Sequence, residues 1–209
     1  MFRLPILYAI TDRELSGLGH PEQVRLLAAG GVRLIQLRDK HSAPREFHVE
    51  AAAAVKVARE FDVQIIINDR VDIAQAVAAD GVHLGQDDMP PEAARRLLGD
   101  RAVIGFSTHD IEQAIVAASL PVDYLAIGPV FPTTSKNDTA PVVGLAGLAT
   151  VRKAVREKPL VAIGGINFAN AQSVLNAGAD SVAVISALYV DPDETMQRVR
   201  DFLILQRRD

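Results

Sequence analysis

Short runs of Val, Ile, Leu and Ala recur eight times along this chain, and each is followed by a stretch with helical spacing. The runs are Ile6–Thr11, Leu34–Asp39, Gln64–Asp69, Gly81–Gly85, Val103–Thr108, Tyr124–Val130, Leu160–Ile166 and Ser181–Leu188. They are nearly continuous in apolar residues rather than alternating, the pattern of parallel strands covered on both faces. Between them lie Pro21–Ala29, Ala43–Phe61, Val71–Ala78, Pro91–Leu98, Ile111–Ser119, Leu145–Glu157, Ala169–Ala177 and Pro192–Leu205, predicted as helices. Gly30-Gly31, Gly99 and Gly178 stand where left-handed helix stops are expected. Strict strand–helix alternation demands a parallel sheet. Eight repeats favour a closed (β/α)₈ TIM barrel over an open doubly wound sheet.

At 209 residues the chain is short for such a barrel, which typically takes about 250, and the short helices account for the difference. No linker or low-complexity tract interrupts it, so one catalytic domain over residues 1–209 is expected. Hydrophobic residues make up 49% and aromatics only 5%, which leaves the core to Ala, Val, Ile and Leu. The net charge is −4 with no basic run, so neither nucleic acid nor a membrane surface is an expected partner. The absence of cysteine excludes disulfides, thiolate catalysis and Cys-ligated metals. Met1–Asp12 enters a strand pattern with no leader-like or membrane-spanning run, which points to a cytoplasmic enzyme of small molecules. Oligomeric state leaves no mark on the sequence.

Chemistry in a TIM barrel gathers at the C-terminal ends of the strands. Those positions are polar in nearly every unit: Gln36-Leu37-Arg38-Asp39-Lys40, Asn68-Asp69, Gly85-Gln86-Asp87-Asp88, Ser107-Thr108-His109 and Thr133-Thr134-Ser135-Lys136. Gly164-Gly165 after the seventh run exposes backbone N–H groups, and the small Ser186 after the eighth lets a phosphate approach. Gly-Gly alone would also serve a tight turn; its neighbour Ile185-Ser186 favours the anion site. Asp69 and Asp88 end adjacent strands. Two carboxylates suit Mg²⁺, which fills its other positions with water and substrate phosphates. Arg38, Lys40 and Lys136 bring positive charge to the same opening, Arg as a planar fork and Lys as a point charge. Taken singly, each of these charges is as readily a solvated rim residue, and Asp72 and Asp87 are read that way. His20, His41 and His48 are expected to be solvated, and His83 to be a hydrogen-bonded barrel residue. His109 lies near the site, with a direct role left open. The polar loop Phe131–Gly144 is too long for a mere connector and is a candidate substrate loop.

The ordered series Tyr8-Ala-Ile-Thr-Asp12, Gln36-Leu-Arg-Asp-Lys40, Asn68-Asp-Arg70, Gly81-Val-His-Leu-Gly-Gln-Asp-Asp88, Gly105-Phe-Ser-Thr-His109, Ala162-Ile-Gly-Gly-Ile166 and Val184-Ile-Ser186 resembles the thiamine-phosphate synthase family across essentially the whole chain. The resemblance implies a transferase that joins 4-amino-2-methyl-5-hydroxymethylpyrimidine diphosphate to a thiazole phosphate and releases pyrophosphate. It implies that Gln36, Arg38, Lys40, Asn68, Ser107 and Lys136 hold the pyrimidine diphosphate, with Arg38, Lys40, Lys136 and Ser107 acting in catalysis. Asp69 and Asp88 would bind Mg²⁺, and Thr133, Thr134, Ser135, Gly165, Ile185 and Ser186 the thiazole phosphate. In the implied dissociative mechanism the C–O bond to pyrophosphate breaks before the thiazole nitrogen attacks. Two departures stand out: the segment Lys136–Gly144 is one residue longer than the family's spacing, and Ser135 replaces a commoner Thr. The related thiazole tautomerases lose the aspartates and carry a catalytic His in Gly-His-Val-Phe, where this chain reads Gly128-Pro129-Val130-Phe131. A non-catalytic phosphate-ligand-binding barrel would keep the glycine cradle without needing the aspartate pair. A sugar-phosphate isomerase would not need the Gln36–Lys40 segment.

Overall fold

A computed structural model describes residues 2–133, 141–189 and 192–206. Strands β1 (Leu7–Ile10), β2 (Leu34–Leu37), β3 (Gln64–Asn68), β4 (Gly81–Leu84), β5 (Val103–Thr108), β6 (Tyr124–Ile127), β7 (Leu160–Ile163) and β8 (Ser181–Val184) pair in parallel and in sequence order. β8 returns to β1, with Tyr8 opposite Ala183, and closes the barrel. The helices are α1 (Arg13–Ser16), α2 (His20–Gly30), α3 (Pro44–Glu60), α4 (Val71–Ala76), α5 (Pro91–Leu98), α6 (Ile111–Ala118), α7 (Gly144–Val155), α8 (Phe168–Asn176) and α9 (Pro192–Leu203). No described helix is long and apolar enough to cross a membrane.

Several boundaries differ from the sequence reading for one physical reason. The runs ending at Val130, Ile166 and Leu188 overshoot their strands, because these loop residues are buried beneath the helices and so extend the apolar pattern. The chain leaves β7 at once through Gly164 and Gly165, with φ of +98° and +64°. α1 has no apolar periodicity to announce it. It exists because the Asp12 carboxylate takes the Glu14 and Leu15 N–H groups and Gly17 stops the turn at φ +67°. Gly31 is the left-handed stop expected of it, whereas Gly99, at φ 78° and ψ 175°, is not in that conformation.

Two apolar layers flank the strands. One lies between sheet and helices and includes Leu27, Phe47, Leu125 and Leu148. The other fills the barrel and includes Tyr8, Leu34, Ile66, Tyr124 and Val161. Room for the Tyr124 ring comes from β5, where a Cβ on Gly105 would sit 2.1 Å from Tyr124 Cζ.

At the opposite, N-terminal end, one clasp recurs three times. Asp80, Asp123 and Asp180 each precede an even-numbered strand and accept the N–H of Ile65, Ile104 and Leu160 through Oδ2, at 2.7, 2.8 and 2.8 Å. Each also donates its own N–H to the carbonyl of the same residue. Arg95 of α5 pairs with Asp123 at 2.7 Å, and Arg152 of α7 with Asp180 at 2.9 Å. Removing such a carboxylate strands a backbone donor, which costs about 1–3 kcal/mol. Asp123→Ala is therefore expected to lower unfolding free energy by that amount in a urea titration. A loss below about 0.5 kcal/mol would mean that water replaces the carboxylate.

Candidate active site

The C-terminal strand ends open into a cavity of about 1280 Å³. Gln36, Arg38, Lys40, Asn68, Asp69, Asp88, Ser107, Thr133, Gly165, Ile185 and Ser186 all line it. The sequence thus anticipated a set of residues that the fold brings to one opening. Thr134, Ser135 and Lys136 lie outside the described residues, as does most of the candidate substrate loop.

The Arg38–Lys40 segment is fixed from behind. Arg38 N–H donates to Thr11 Oγ1 at 3.2 Å, and its guanidinium lies 3.4 Å from Asp12 Oδ2. Asp39 accepts the Ser42 and His41 N–H groups at 2.9 and 3.2 Å. His20 corrects an expectation: it is not solvated but 0% exposed. Its Nδ1 lies 2.9 Å from Thr11 Oγ1, its Nε2 lies 3.4 Å from Asp39 Oδ2, and its backbone N–H donates to Glu50. Burying one ring there ties β1, β2 and α3 together. His41 and His48 are exposed, as expected.

Burial alone would raise the Asp39 carboxyl, but the Ser42 and His41 hydrogen bonds and His20 outweigh it and hold the pKa at about 2. Burial pushes His20 down, against the raising pull of Asp39. A lowered histidine contributes stability that is complete above its unfolded pKa of about 6.5 and declines as pH falls below it. The depressed Asp39 adds a second loss between about pH 4 and pH 2. Denaturation midpoints are expected to fall between pH 7.5 and pH 5, and His20→Gln should remove part of that first decline. An unchanged pH slope in the variant would assign the decline to other groups.

Asp69 and Asp88 approach the cavity by different local devices. Asp69 has φ +62°, its N–H donates to the His83 carbonyl at 2.8 Å, and Arg70 N–H returns to Asn68 O at 2.7 Å. That is a tight three-residue turn of the strained, positive-φ kind, tolerated best by Gly, Asn and Asp. Strain at a strand end aims the side chain into the mouth. Asp88 sits in a turn after β4, where its Oδ2 accepts the Gly85 N–H at 2.7 Å. A Cβ at position 85 would lie 3.1 Å from that oxygen. Among the described residues no group of three or more His, Asp or Glu could hold a metal unaided. Two carboxylates that line one cavity suit Mg²⁺, which completes its shell with water and phosphate oxygens.

On the far side of the mouth, Gly164-Gly165 leaves β7, and a one-turn bend, Leu188 N–H to Ile185 O at 3.1 Å, leaves β8. Neither Gly165 N–H nor Ser186 N–H has a hydrogen-bond partner among the described residues. Adjacent open donors of this kind form an anion-binding concavity. His109 also lines the cavity, and its Nδ1 lies 2.8 Å from the Gly128 carbonyl, which joins the end of β5 to the end of β6.

A sequence model of the thiamine monophosphate synthase family matches residues 7–188. The chain belongs to that family. The thiamine-phosphate synthase of Koribacter versatilis is 48% identical over 207 residues, covering 96% of this chain and 95% of that protein. That of Chloroflexus aurantiacus is 46% identical over 190 residues, covering 90% and 87%. A solved thiamine phosphate pyrophosphorylase from Pyrococcus furiosus superposes with a TM-score of 0.84 at 40% identity, covering 94% of this chain and 92% of that one. A structure from Bacteroides thetaiotaomicron at 15% identity and TM-score 0.67 shares the fold.

Within this family barrel, the sequence reading gave no role to Tyr124, and quoted Tyr8 and Asp12 only as the ends of its first motif. Tyr8 and Tyr124 are wholly buried, yet their hydroxyls meet at 2.9 Å inside the barrel. Besides the place of Tyr8 in that motif, their rarity was a signal, since the chain has three tyrosines and two fall in strand runs. His83, read as a hydrogen-bonded barrel residue, is one: Nδ1 lies 2.9 Å from Tyr124 Oη and Nε2 2.8 Å from Ser107 Oγ.

Proposed function

We propose that this chain condenses 4-amino-2-methyl-5-hydroxymethylpyrimidine diphosphate with thiazole phosphate, giving thiamine phosphate and pyrophosphate. One observation carries the reading. A single cavity holds the Asp69 and Asp88 carboxylates, the Arg38 and Lys40 cations and the open Gly165 and Ser186 donors, in a chain of this family. The substrates are small phosphorylated molecules, and residues 1–209 act as one catalytic domain.

Asp69 and Asp88 would hold Mg²⁺, which when bound neutralises pyrophosphate oxygens as a Lewis acid. Arg38 and Lys40 bind the same diphosphate from the β2 side, and Lys136 would join them from the loop. Gln36, Asn68 and Ser107 orient the pyrimidine over the barrel interior. Thr133, Thr134, Ser135, Gly165, Ile185 and Ser186 hold the thiazole phosphate. The C–O bond to pyrophosphate breaks with its electron pair leaving on the phosphate oxygen. The thiazole nitrogen then donates its lone pair to the pyrimidine methylene carbon. Charge leaves toward cations fixed before the reaction, the arrangement that lowers a barrier most effectively. No general base is needed for this sequence of steps.

Calorimetric titration tests the division into subsites. Pyrimidine diphosphate is expected to bind tightly only with Mg²⁺, and thiazole phosphate to bind with or without it. Equal metal dependence for both ligands would contradict the division. Binding of both without turnover would favour a phosphate-ligand-binding barrel.

A further inference from the structure

The seam between the first and last strands stops one bond short of its own ladder. Val182 N–H donates to the Ile6 carbonyl at 2.8 Å, and the pairing of Ala9 with Val184 carries the ladder on past Tyr8. Donors on one edge of a parallel strand recur every second residue. The next bond in register would therefore run from Ser186 N–H to the Ile10 carbonyl. It does not form: the pairing ends at Val184, and Ser186 N–H has no partner among the described residues. The Ile10 carbonyl is taken instead by the Tyr189 hydroxyl, which donates to it at 3.1 Å. The chain reaches back through a single turn. In it Leu188 N–H donates to the Ile185 carbonyl at 3.1 Å, and Tyr189 N–H to the Ser186 carbonyl at 3.3 Å. The Tyr189 side chain packs against the barrel-filling layer that includes Ile10 and Ile185. Burial, and after it the charge of Asp12, raise the Tyr189 pKa, so the hydroxyl keeps its proton near neutral pH. Ile10 is 2% exposed, and a buried backbone carbonyl needs a donor. Here a side chain supplies that donor and spares a backbone N–H.

We propose that Tyr189 is a positioning residue: by occupying the Ile10 carbonyl, its hydroxyl keeps Ser186 N–H out of the β1–β8 ladder and open to an anion. The proposal rests on the functional reading above, which gives Ser186 to the thiazole phosphate, and it adds the residue that holds the donor free. Tyr189→Phe keeps the ring and leaves the Ile10 carbonyl without its donor. The N–H next in register is that of Ser186. Drawing it in lengthens the ladder by one bond and takes a donor away from the mouth. Gly165 N–H stands on the β7 side and is untouched, so the phosphate loses one donor and not all of them. The diphosphate side, built on β2, β3 and β4, has no part in this exchange.

Backbone amide exchange, read by nuclear magnetic resonance, and ligand titration of Tyr189→Phe test it. In ligand-free wild type the Ser186 amide is expected to exchange rapidly, and to slow when thiazole phosphate is added. In Tyr189→Phe that amide should be protected before any ligand is present. Thiazole phosphate affinity should fall about tenfold in the variant, the worth of one hydrogen bond to a charged group. Affinity for pyrimidine diphosphate with Mg²⁺ should stay within about threefold. A tyrosine that merely props the barrel would give the reverse, with faster exchange along the β1–β8 seam and losses for both ligands. Four results overturn the proposal: a Ser186 amide protected in ligand-free wild type, one still open in the variant, thiazole phosphate binding within threefold of wild type, or equal losses for both ligands. If the variant does not fold, wild-type spectra decide it. An exchange-protected Tyr189 hydroxyl proton beside an open Ser186 amide upholds the proposal, and failure of either overturns it. Wild type that binds no thiazole phosphate sinks the functional reading and the proposal together; equally tight binding by wild type and variant sinks the proposal alone.

Discussion

Asp88→Asn is expected to cut thiamine phosphate formation at least about a hundredfold while leaving the barrel folded. The substitution isolates charge from shape. An Asn oxygen can still accept the Gly85 N–H that the Asp88 carboxylate takes at 2.7 Å, so the turn after β4 is kept. What is lost is half of the charge available to a cation that has two carboxylates at most on the protein side. Metal stabilisation of a leaving group is worth several kcal/mol, and each 1.4 kcal/mol is about tenfold in rate. Asp69→Asn should behave alike, because Asn tolerates the φ of +62° at that position. Chelation should abolish turnover in the unmodified protein, and added Mg²⁺ should restore it. Full activity in a metal-free preparation, or an Asp88→Asn variant within threefold of wild type, would remove the carboxylates from the mechanism.

Gly165→Val is expected to raise the KM for thiazole phosphate at least about tenfold and to weaken pyrimidine diphosphate binding far less. Gly165 has φ +64°, a backbone angle that a β-branched residue adopts only under strain. Its Cβ would fall 2.5 Å from the Pro132 carbonyl oxygen and 2.7 Å from Phe131 Cβ. The new side chain meets the wall of the site, not its open space. It has to push back the segment that carries Thr133, which the proposed function assigns to thiazole phosphate. A thermal melt separates this from general damage to the barrel. Equal losses for both substrates with an unchanged melt would contradict the division of the mouth into two subsites.

The barrel was legible because parallel strands buried on both faces leave apolar runs that nothing else in a polar chain imitates. The same signal overran at Val130, Ile166 and Leu188, since periodicity reports burial and not strand pairing. Candidate residues at strand ends could be named because architecture dictates where polar groups must gather, and Gln36, Asp69, Asp88 and Ser107 stand at those places and line one cavity. Residues whose partners are remote were invisible. Tyr8 and Tyr124 are 116 positions apart and meet only once β1 and β6 face each other inside the closed barrel. His20 looked like a polar helix start, and its burial is explained by Thr11 and Asp39 on two other strand ends and by Phe47 and Glu50 of α3. The clasps at Asp80, Asp123 and Asp180 did leave a trace, an Asp directly before or near alternate apolar runs, but its meaning depends on which strand lies alongside.

The most direct test of the account is turnover itself. The purified chain is incubated with pyrimidine diphosphate, thiazole phosphate and Mg²⁺, and products are quantified by mass spectrometry. Thiamine phosphate and pyrophosphate appearing in equal amounts, and only when both substrates and the metal are present, is the predicted result. Isomerised thiazole phosphate formed without the diphosphate, or both substrates recovered intact from a protein that binds them, would contradict it.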